Sequence, residues 1–380
     1  MGEAFYMGCN GAGDRVGVVK ILHVYKDYYP VIGGIENHLR ALAEGLARRG
    51  HEVTVLVCHP EARTEVGMLN GVRVIRAARA RTVASTPLSA ELPRLLARER
   101  PDVTHLQFPY PLGEVSHWWR GHGRTVISYQ SDVVRQRMIG AAYRPMMRWG
   151  LRRADALLAT SPNYVVSSPE LARLAHRCLV VPLGIAPERF AAPPRTRRAR
   201  PTLLFVGRHR YYKGLPDLLR AMPEVDADLI VAGDGPMRPM WERLAGELAL
   251  GEKVRFVGTV PEAELPALYR SADVFVLPAS ARSEAFGIVL LEAMAAGLPC
   301  VTTELGTGTS FVVQHNVTGL VVPARTPGAL AEAAGRLLSD EALRARMGEA
   351  GQARVRREFE VETMIDRIEA VYRWDVRSGR

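Results

Sequence analysis

The sequence predicts an α/β protein made of two doubly wound parallel-sheet domains, and three observations carry that expectation. The 380 residues suffice for about two domains of ordinary size, each with its own core. Short β-branched runs alternate with helical patterns through both halves, the signature of βαβ units. Between the two series lies IAPERFAAPPRTRRARP, 185–201, rich in proline and arginine and without apolar periodicity, which reads as a linker.

The first half opens on VVKILHVY from Val18, continues with a helix from about Gly34 to Arg49, and returns through EVTVLVC from Glu52. VRVIRA from Val72, a helix near Leu88 to Arg98, DVTHLQF from Asp102 and TVISY from Thr125 extend the alternation. ALLATSPN and LVVPLG complete it. The second half begins with TLLFVGR from Thr202, a helix near Leu215 to Met222 and DLIVAGDG from Asp228. A helix near Met237 to Leu250, VRFVG, a helix near Ala263 to Ser271 and DVFVLPAS follow. An apolar helix carrying Glu292, then PCVTTE and GLVVP, come next. The expected domain limits are therefore 1–185 and 186–360, with a last helical pattern from about Val361 to Arg373 able to pack on either. No short repeat period is present, which excludes a solenoid.

A hydrophobic fraction of 47% and a charged fraction of 24% are those of a globular chain. No uninterrupted apolar run approaches the ~20 residues of a membrane-spanning helix. The start, MGEAFYMGCNGAGDRVG, lacks the basic stretch and apolar core of a secretion signal, so a cytoplasmic location is expected. Cys9, Cys58, Cys178 and Cys300 have no paired spacing and read as reduced thiols rather than staples or zinc ligands. The formal charge of +10 points to an anionic partner: nucleic acid, an anionic membrane or a phosphorylated substrate. A nucleic-acid platform is not expected, because aromatic residues are not interleaved with the basic ones on a recognisable surface.

The stretch from Ser283 to Thr303, SEAFGIVLLEAMAAGLPCVTT, carries the most chemistry. The buried strand before it closes at a proline, so Glu284 falls in the loop at the strand's carboxyl end, where open α/β sheets bind ligands. A helix starting near Gly287 aims unpaired amides and the positive end of its dipole at the same place, suited to a diphosphate. A carboxylate accepts from two neighbouring hydroxyls at once, so Glu284 suits a hexose and Glu292, one helix turn and more further on, a ribose. In FVGRHRYYKG, Arg208 and Lys213 occupy the loop after another strand and are placed to flank one diphosphate. Gly33 and Gly34 follow the first strand and enter an amphipathic helix, which fits either a tight turn or close approach of a ligand to the backbone. Gly11 and Gly13 precede that strand and carry less weight. Asp226 and Asp228 formally match a metal-holding pair but enter a strand at its amino end. No histidine pair has zinc spacing, so no metal is expected. Val133 to Arg153 holds six arginines and no acidic residue. Arg144, Arg148 and Arg152 fall on one face, so Arg135–Arg153 suits either an anionic membrane surface or a solvated helix face, with Pro145 expected to interrupt the helix.

Taken together, GGIENH, VGRHRYYKG, VAGDGP, SEAFGIVLLEAMAAGLP and NVTGLVVP resemble, in order and approximate spacing, the family-4 retaining glycosyltransferases of the GT-B fold. The likeness runs from about Lys20 to the end and is nearest to bacterial mannosyltransferase-like members. It implies two facing Rossmann-like domains with an interdomain cleft, and transfer of a hexose from a nucleotide sugar, GDP-mannose or a UDP-hexose, to a polysaccharide precursor, glycolipid or other membrane-linked acceptor, without a metal or other cofactor. It implies that Arg208 and Lys213 stabilise the departing diphosphate, that Glu284 faces the reacting centre beside the amides of Phe286, Gly287 and Ile288, and that Glu292 takes the ribose. Val260 would meet the base through its backbone, and Gly33 and Gly34 the phosphates. The last helix, 361–380, would cross back to the first domain. Where many relatives have histidine before Ser-Asp, this chain has Gln130, which bonds a hydroxyl but accepts no proton as a base. Asp132 stands nearby as a second acceptor-side candidate. Two other expectations share the architecture: a sugar-nucleotide epimerase and a non-catalytic two-lobed binding protein.

Overall fold

The structure, a computed structural model, describes residues 17–31, 33–83, 86–132, 137–190 and 200–374. The chain forms two compact units. One holds the described residues up to Pro182 together with those from Val361 onward, and the other holds Leu183–Glu360.

The first unit runs β1 (Lys20–Val24), α1 (Gly34–Arg48), β2 (Glu52–Cys58), β3 (Glu65–Leu69), β4 (Val72–Ala77), β5 (Arg81–Val83), β6 (Thr86–Leu88), α2 (Leu92–Arg98), β7 (Val103–Phe108), α3 (Pro111–Arg120), β8 (Arg124–Tyr129), α4 (Arg137–Arg153), β9 (Ala156–Ala159), α5 (Pro162–Ser167) and β10 (Cys178–Val180). The second runs β11 (Thr202–Val206), α6 (Leu215–Ala221), β12 (Asp228–Ala232), α7 (Arg238–Glu247), β13 (Val254–Gly258), α8 (Leu265–Arg270), β14 (Val274–Leu277), α9 (Ile288–Ala295), β15 (Cys300–Glu304), α10 (Thr309–Val312), β16 (Gly319–Pro323), α11 (Pro327–Ser339) and α12 (Glu341–Glu358). The chain then re-enters the first unit as α13 (Val361–Arg373).

In the first sheet the order is β10-β9-β8-β7-β1-β2-β4-β3, parallel except for β3, which pairs antiparallel with β4. The second sheet, β13-β12-β11-β14-β15-β16, is parallel throughout. Sheets covered on both faces read as continuous apolar runs, and TLLFV of β11 and VFVL of β14 are buried at every position. Strand order reverses between β1 and β7 in the first sheet and between β11 and β14 in the second. Loops leaving the carboxyl ends of strands at such a reversal are where open α/β sheets open a ligand crevice.

Local chemistry explains the helices beside these points. Helix α1 buries Leu39, Leu42, Ala43 and Leu46 along one stripe. On its outer side it meets α13, whose Ile365 fills the space a Cβ at Gly45 would take. Arg49 binds Glu362 at 2.7 Å, Asp366 at 2.6 Å and Glu369 at 2.6 Å, while His51 meets Glu369 at 2.8 Å.

Several expectations change. The helix foreseen from Leu88 begins only at Leu92, because Thr86–Leu88 pairs with Arg81–Val83 in a small hairpin. Three residues near the start of the supposed linker and just before it, Leu183, Ile185 and Phe190, lie in the core of the second unit, so apolar contact rather than periodicity governs them. Pro145 does not interrupt α4, which passes through it. Cys58, Cys178 and Cys300 are buried free thiols. Cys9, Gly11, Gly13, Arg135 and most of the linker lie outside the described residues. No helix among the described residues is long and apolar enough to cross a membrane.

Candidate active site

In the second unit, the loops after β11 and β14 meet because glycine lets their backbones touch. Gly214 has φ 68°, and a Cβ there would lie 1.9 Å from the carbonyl oxygen of Pro278. Ser280 N donates to Tyr212 O at 2.9 Å, and the Tyr211 and Ser283 hydroxyls bond at 2.9 Å. These contacts set the ammonium of Lys213 2.7 Å from Glu284 Oε2, both side chains about nine-tenths buried. Burial alone would lower the Lys213 pKa, but Glu284 beside it holds it above the ordinary lysine value. Lys213 is thus not a lone cation: any anion bound here shares it with Glu284. Arg208 is exposed in the same loop and has no ion-pair partner among the described residues.

The Glu284 loop is braced from the far side by the loop after β15. Thr307 donates its hydroxyl to Glu284 O at 2.8 Å, and Gly308 N donates to Ala285 O at 2.7 Å. Phe286 is buried edge-on against Phe359, and Gly287 turns the chain at φ 81° into α9. A Cβ at Gly287 would press on Leu290 and Leu277, at 2.9 and 3.1 Å. Helix α9 is apolar nearly all round, so its amino end is held by core packing. The Phe286 and Gly287 amides donate to no group among the described residues and stand with Ile288 at the positive end of the helix.

Glu292, in the next turn, accepts from the buried Tyr269 hydroxyl at 2.6 Å. Burial raises its carboxyl above the usual carboxylate range, against the pull of Tyr269 and of Arg189 and Lys213. Val260 follows β13, partly buried on the second core. Asp226 and Asp228 sit at the amino edge of β12, away from these loops, and pair with Arg200 at 2.7 and 3.6 Å. Among the described residues no cluster of His, Cys, Asp or Glu is disposed to hold a metal.

The first unit places its candidates differently. Gly33 caps α1 in extended backbone and Gly34 begins the helix with nothing within 4 Å of its missing Cβ. Gln130, at the carboxyl end of β8, is buried and donates through Nε2 to Gln107 Oε1 at 3.1 Å. Behind it, Gln107 approaches His105 Nε2 at 3.5 Å, Ser128 Oγ bonds that nitrogen at 2.7 Å, and Tyr372 of α13 meets His105 Nδ1 at 2.5 Å. Burial, then His23 and His38, push His105 well below the ordinary histidine value, so it is a neutral link. Asp132 accepts from Tyr129 at 2.9 Å and Ser168 at 2.7 Å, and its amide donates to Tyr164, which gives it a structural role in the β8 loop.

Sequence reasoning found Glu284, Glu292, Arg208, Lys213 and Gln130 but not Tyr269, Thr307, Gln107 or His105, which hold several of them. His105 and Gln107 did leave a signal: polar residues at alternate positions of a strand buried at every position.

Residues 32–189 match the family described as Glycosyltransferase Family 4, and residues 188–354 match Glycosyl transferases group 1. An O-antigen chain mannosyltransferase from Escherichia coli is 34% identical over 366 residues, covering 93% of this chain and 98% of the relative. The chain belongs to glycosyltransferase family 4. A D-rhamnosyltransferase from Pseudomonas aeruginosa, 35% identical over 354 residues, covers 90% of this family-4 chain and is itself covered over 92% of its length. Among solved structures, a sucrose-phosphate synthase from Thermosynechococcus elongatus superposes with a TM-score of 0.77 at 25% identity, covering 93% of this chain and 98% of that one. The two doubly wound units are those of the GT-B fold.

Proposed function

We propose that this chain is a retaining, metal-independent hexosyltransferase that takes a hexose from a nucleotide sugar, GDP-mannose or a UDP-hexose, and transfers it to a polysaccharide precursor, glycolipid or other membrane-linked acceptor. It would work in the cytoplasm, peripheral on the inner face of the cell membrane. The observation that carries the reading is the buried Lys213–Glu284 pair, 2.7 Å apart, at the strand-order reversal of the second sheet beside the open amino end of α9. The mannosyl and rhamnosyl transfer named for the two relatives supports the hexose class.

In this mechanism the α9 amides and Arg208 receive the diphosphate, whose charge grows as the glycosidic bond breaks, and Lys213 neutralises it where no reorganisation is needed. Glu284, fixed by Lys213 and by Thr307 at its carbonyl, accepts hydroxyls of the hexose and keeps the anomeric carbon aligned. Glu292, oriented by Tyr269, accepts from the ribose. With two cations at the leaving group and the Asp226–Asp228 pair committed to Arg200 at the other strand edge, no metal is needed. Gln130 orients an acceptor hydroxyl, and the departing phosphate takes its proton, since glutamine takes none.

Thermal shift of the purified protein against UDP, GDP and ADP sugars tests the reading, because ligand bound to the folded state raises its apparent stability. One nucleotide sugar is expected to stabilise it, and no stabilisation by any sinks the proposal. Glu292→Ala should weaken nucleotide binding while Lys213→Ala mainly slows transfer, and equal binding losses would remove the assigned roles. Conversion of donor alone into a second nucleotide sugar would replace transfer by epimerisation, and unchanged binding with no turnover would leave a binding protein.

A further inference from the structure

Helices α3 and α4 carry a surface that the donor loops do not use. On α3, Val115, Trp118 and Trp119 stand at i, i+3 and i+4 and share a helix face. Val115 is 43% exposed and Trp119 69%. Trp118 lies edge-on to Trp149 of α4 with ring centroids 5.3 Å apart, and Trp149 is itself 45% exposed. Gly150 makes room for that contact, since a Cβ there would lie 2.5 Å from the Trp118 indole nitrogen.

Each exposed indole carries a guanidinium against its face: Arg120 is 4.2 Å from the Trp119 ring centre and Arg153 5.0 Å from that of Trp149. Arg152 is exposed beside them. The only acidic residue of the two helices, Glu114, is buried. The surface thus presents large amphipathic rings and positive charge, with no exposed carboxylate from either helix.

Arg144 and Arg148, two of the stripe expected to meet a membrane, are not its cations. Glu170 holds Arg148 at 2.7 Å and lies 3.8 Å from both Arg144 and Arg173, so these three guanidiniums gather on one carboxylate set apart from the tryptophans. Arg120, Arg152 and Arg153, which have no ion-pair partner among the described residues, stand instead on the tryptophan side. Indole rings favour the head-group boundary of a bilayer, and arginine stems lie along apolar surface while their heads reach phosphate. An anionic bilayer answers both the rings and the charges, whereas a nucleic-acid duplex, whose bases are stacked away, answers the charges alone and a neutral protein face the rings alone.

We propose that the Val115–Trp119–Trp149 face, with Arg120, Arg152 and Arg153, seats this chain on an anionic phospholipid bilayer. The inference gives the membrane-linked acceptor of the proposed function a physical dock, and rests on that reading for its purpose alone. Vesicle binding needs neither donor nor acceptor, so the two fail separately.

The test is co-sedimentation of the full chain with vesicles of phosphatidylcholine alone or with roughly one-third phosphatidylglycerol, at about 0.1 M salt. The chain should sediment with the anionic vesicles, with its tryptophan fluorescence shifted to the blue, and should release as salt rises. Trp119→Ala, at an exposed site that leaves the Trp118–Trp149 contact in place, should lower binding several-fold. Trp119→Ala with Trp149→Ala should lower it by roughly tenfold or more. Arg120→Glu with Arg153→Glu, made as an independent pair that keeps both rings, should remove the preference for anionic lipid. Melting temperatures near that of the parent chain identify the variants that remain folded. Failure of the parent chain to sediment, equal binding to neutral vesicles, or parent-like binding by the folded variants overturns the proposal. So does an RNA or DNA duplex that displaces the vesicles with equal affinity, or a dimer in light scattering that Trp119→Ala dissolves.

Discussion

The two units answer one architectural problem with opposite chemistry. In each, the strand order reverses once, and candidate residues lie in the loops at that reversal or, for Gln130 and Asp132 after β8, one strand away from it. In the second unit the feature buried there is an ion pair, Lys213 with Glu284, clasped by backbone contacts at Gly214 and Gly308. In the first it is a neutral file, Gln130–Gln107–His105–Tyr372, in which burial keeps the histidine uncharged. A charged site suits a ligand whose charge changes during reaction. A neutral, hydrogen-bonding one suits hydroxyls, which need orientation more than charge. The contrast explains why the second unit's candidate residues are the more legible ones: charge at a strand end is a distinctive signal, and buried amides are not.

The sharpest way to break the comparison is at Glu284. Glu284→Ala leaves Lys213 buried without its partner and should cost roughly 3–5 kcal/mol in denaturant unfolding, while Lys213→Met combined with Glu284→Leu should recover most of that loss. A single-variant loss below about 1 kcal/mol would make the pair a surface-like one.

The first unit's buried carboxyl, Glu114, should show itself through pH, in the same direction as Glu292 of the second. Burial lifts Glu114 from 4.5 to about 7, against hydrogen bonds from Tyr143 and the Tyr110 amide. A carboxyl raised in the folded state contributes its full stability below pH about 4.5 and loses it as pH climbs through about 7, a swing of roughly 3 kcal/mol. Glu114→Gln should make the fall of unfolding free energy between pH 5 and 8 shallower, and an unchanged slope would count against the burial of this carboxyl. Lys213, raised in the other direction from the window, stays charged throughout and adds no slope there.

Two glycines extend the contrast. Gly214→Ala forces a Cβ onto the Pro278 carbonyl at a positive φ and should cost about 1–3 kcal/mol or more in thermal unfolding. Gly34→Ala meets nothing within 4 Å and should stabilise α1 by about 1 kcal/mol or less. If Gly34→Ala also weakens nucleotide-sugar binding while the fold gains stability, the glycine serves a ligand. If binding is untouched, it serves the turn.

Legibility followed the same physics. Strands such as TLLFV and VFVL were readable because complete burial writes itself as an unbroken apolar run. Helix α12 escaped notice because part of its packing is done by absence: Gly348 lies against the Gly297 carbonyl and Gly351 against Met294, where no apolar stripe is required. The stretch near the linker escaped because Leu183, Ile185 and Phe190 join a core without any period. At the site, Lys213 and Glu284 were each visible, but their contact is made by backbone closure between distant loops, which no local pattern encodes. The file behind Gln130 needs two neighbouring strands and α13 to exist at all.

The return of α13 to the first unit has a consequence for how the protein can be cut. Leu183–Glu360 is one unbroken stretch of chain, whereas the first unit is assembled from two pieces that flank it. The second unit is therefore an insertion within the first. A gene fragment ending at Pro182 would encode α1 without the helix whose Ile365 covers Gly45 and whose acids hold Arg49, leaving an apolar groove where the folded protein has a seam. To express the first unit alone, its tail must be spliced back on.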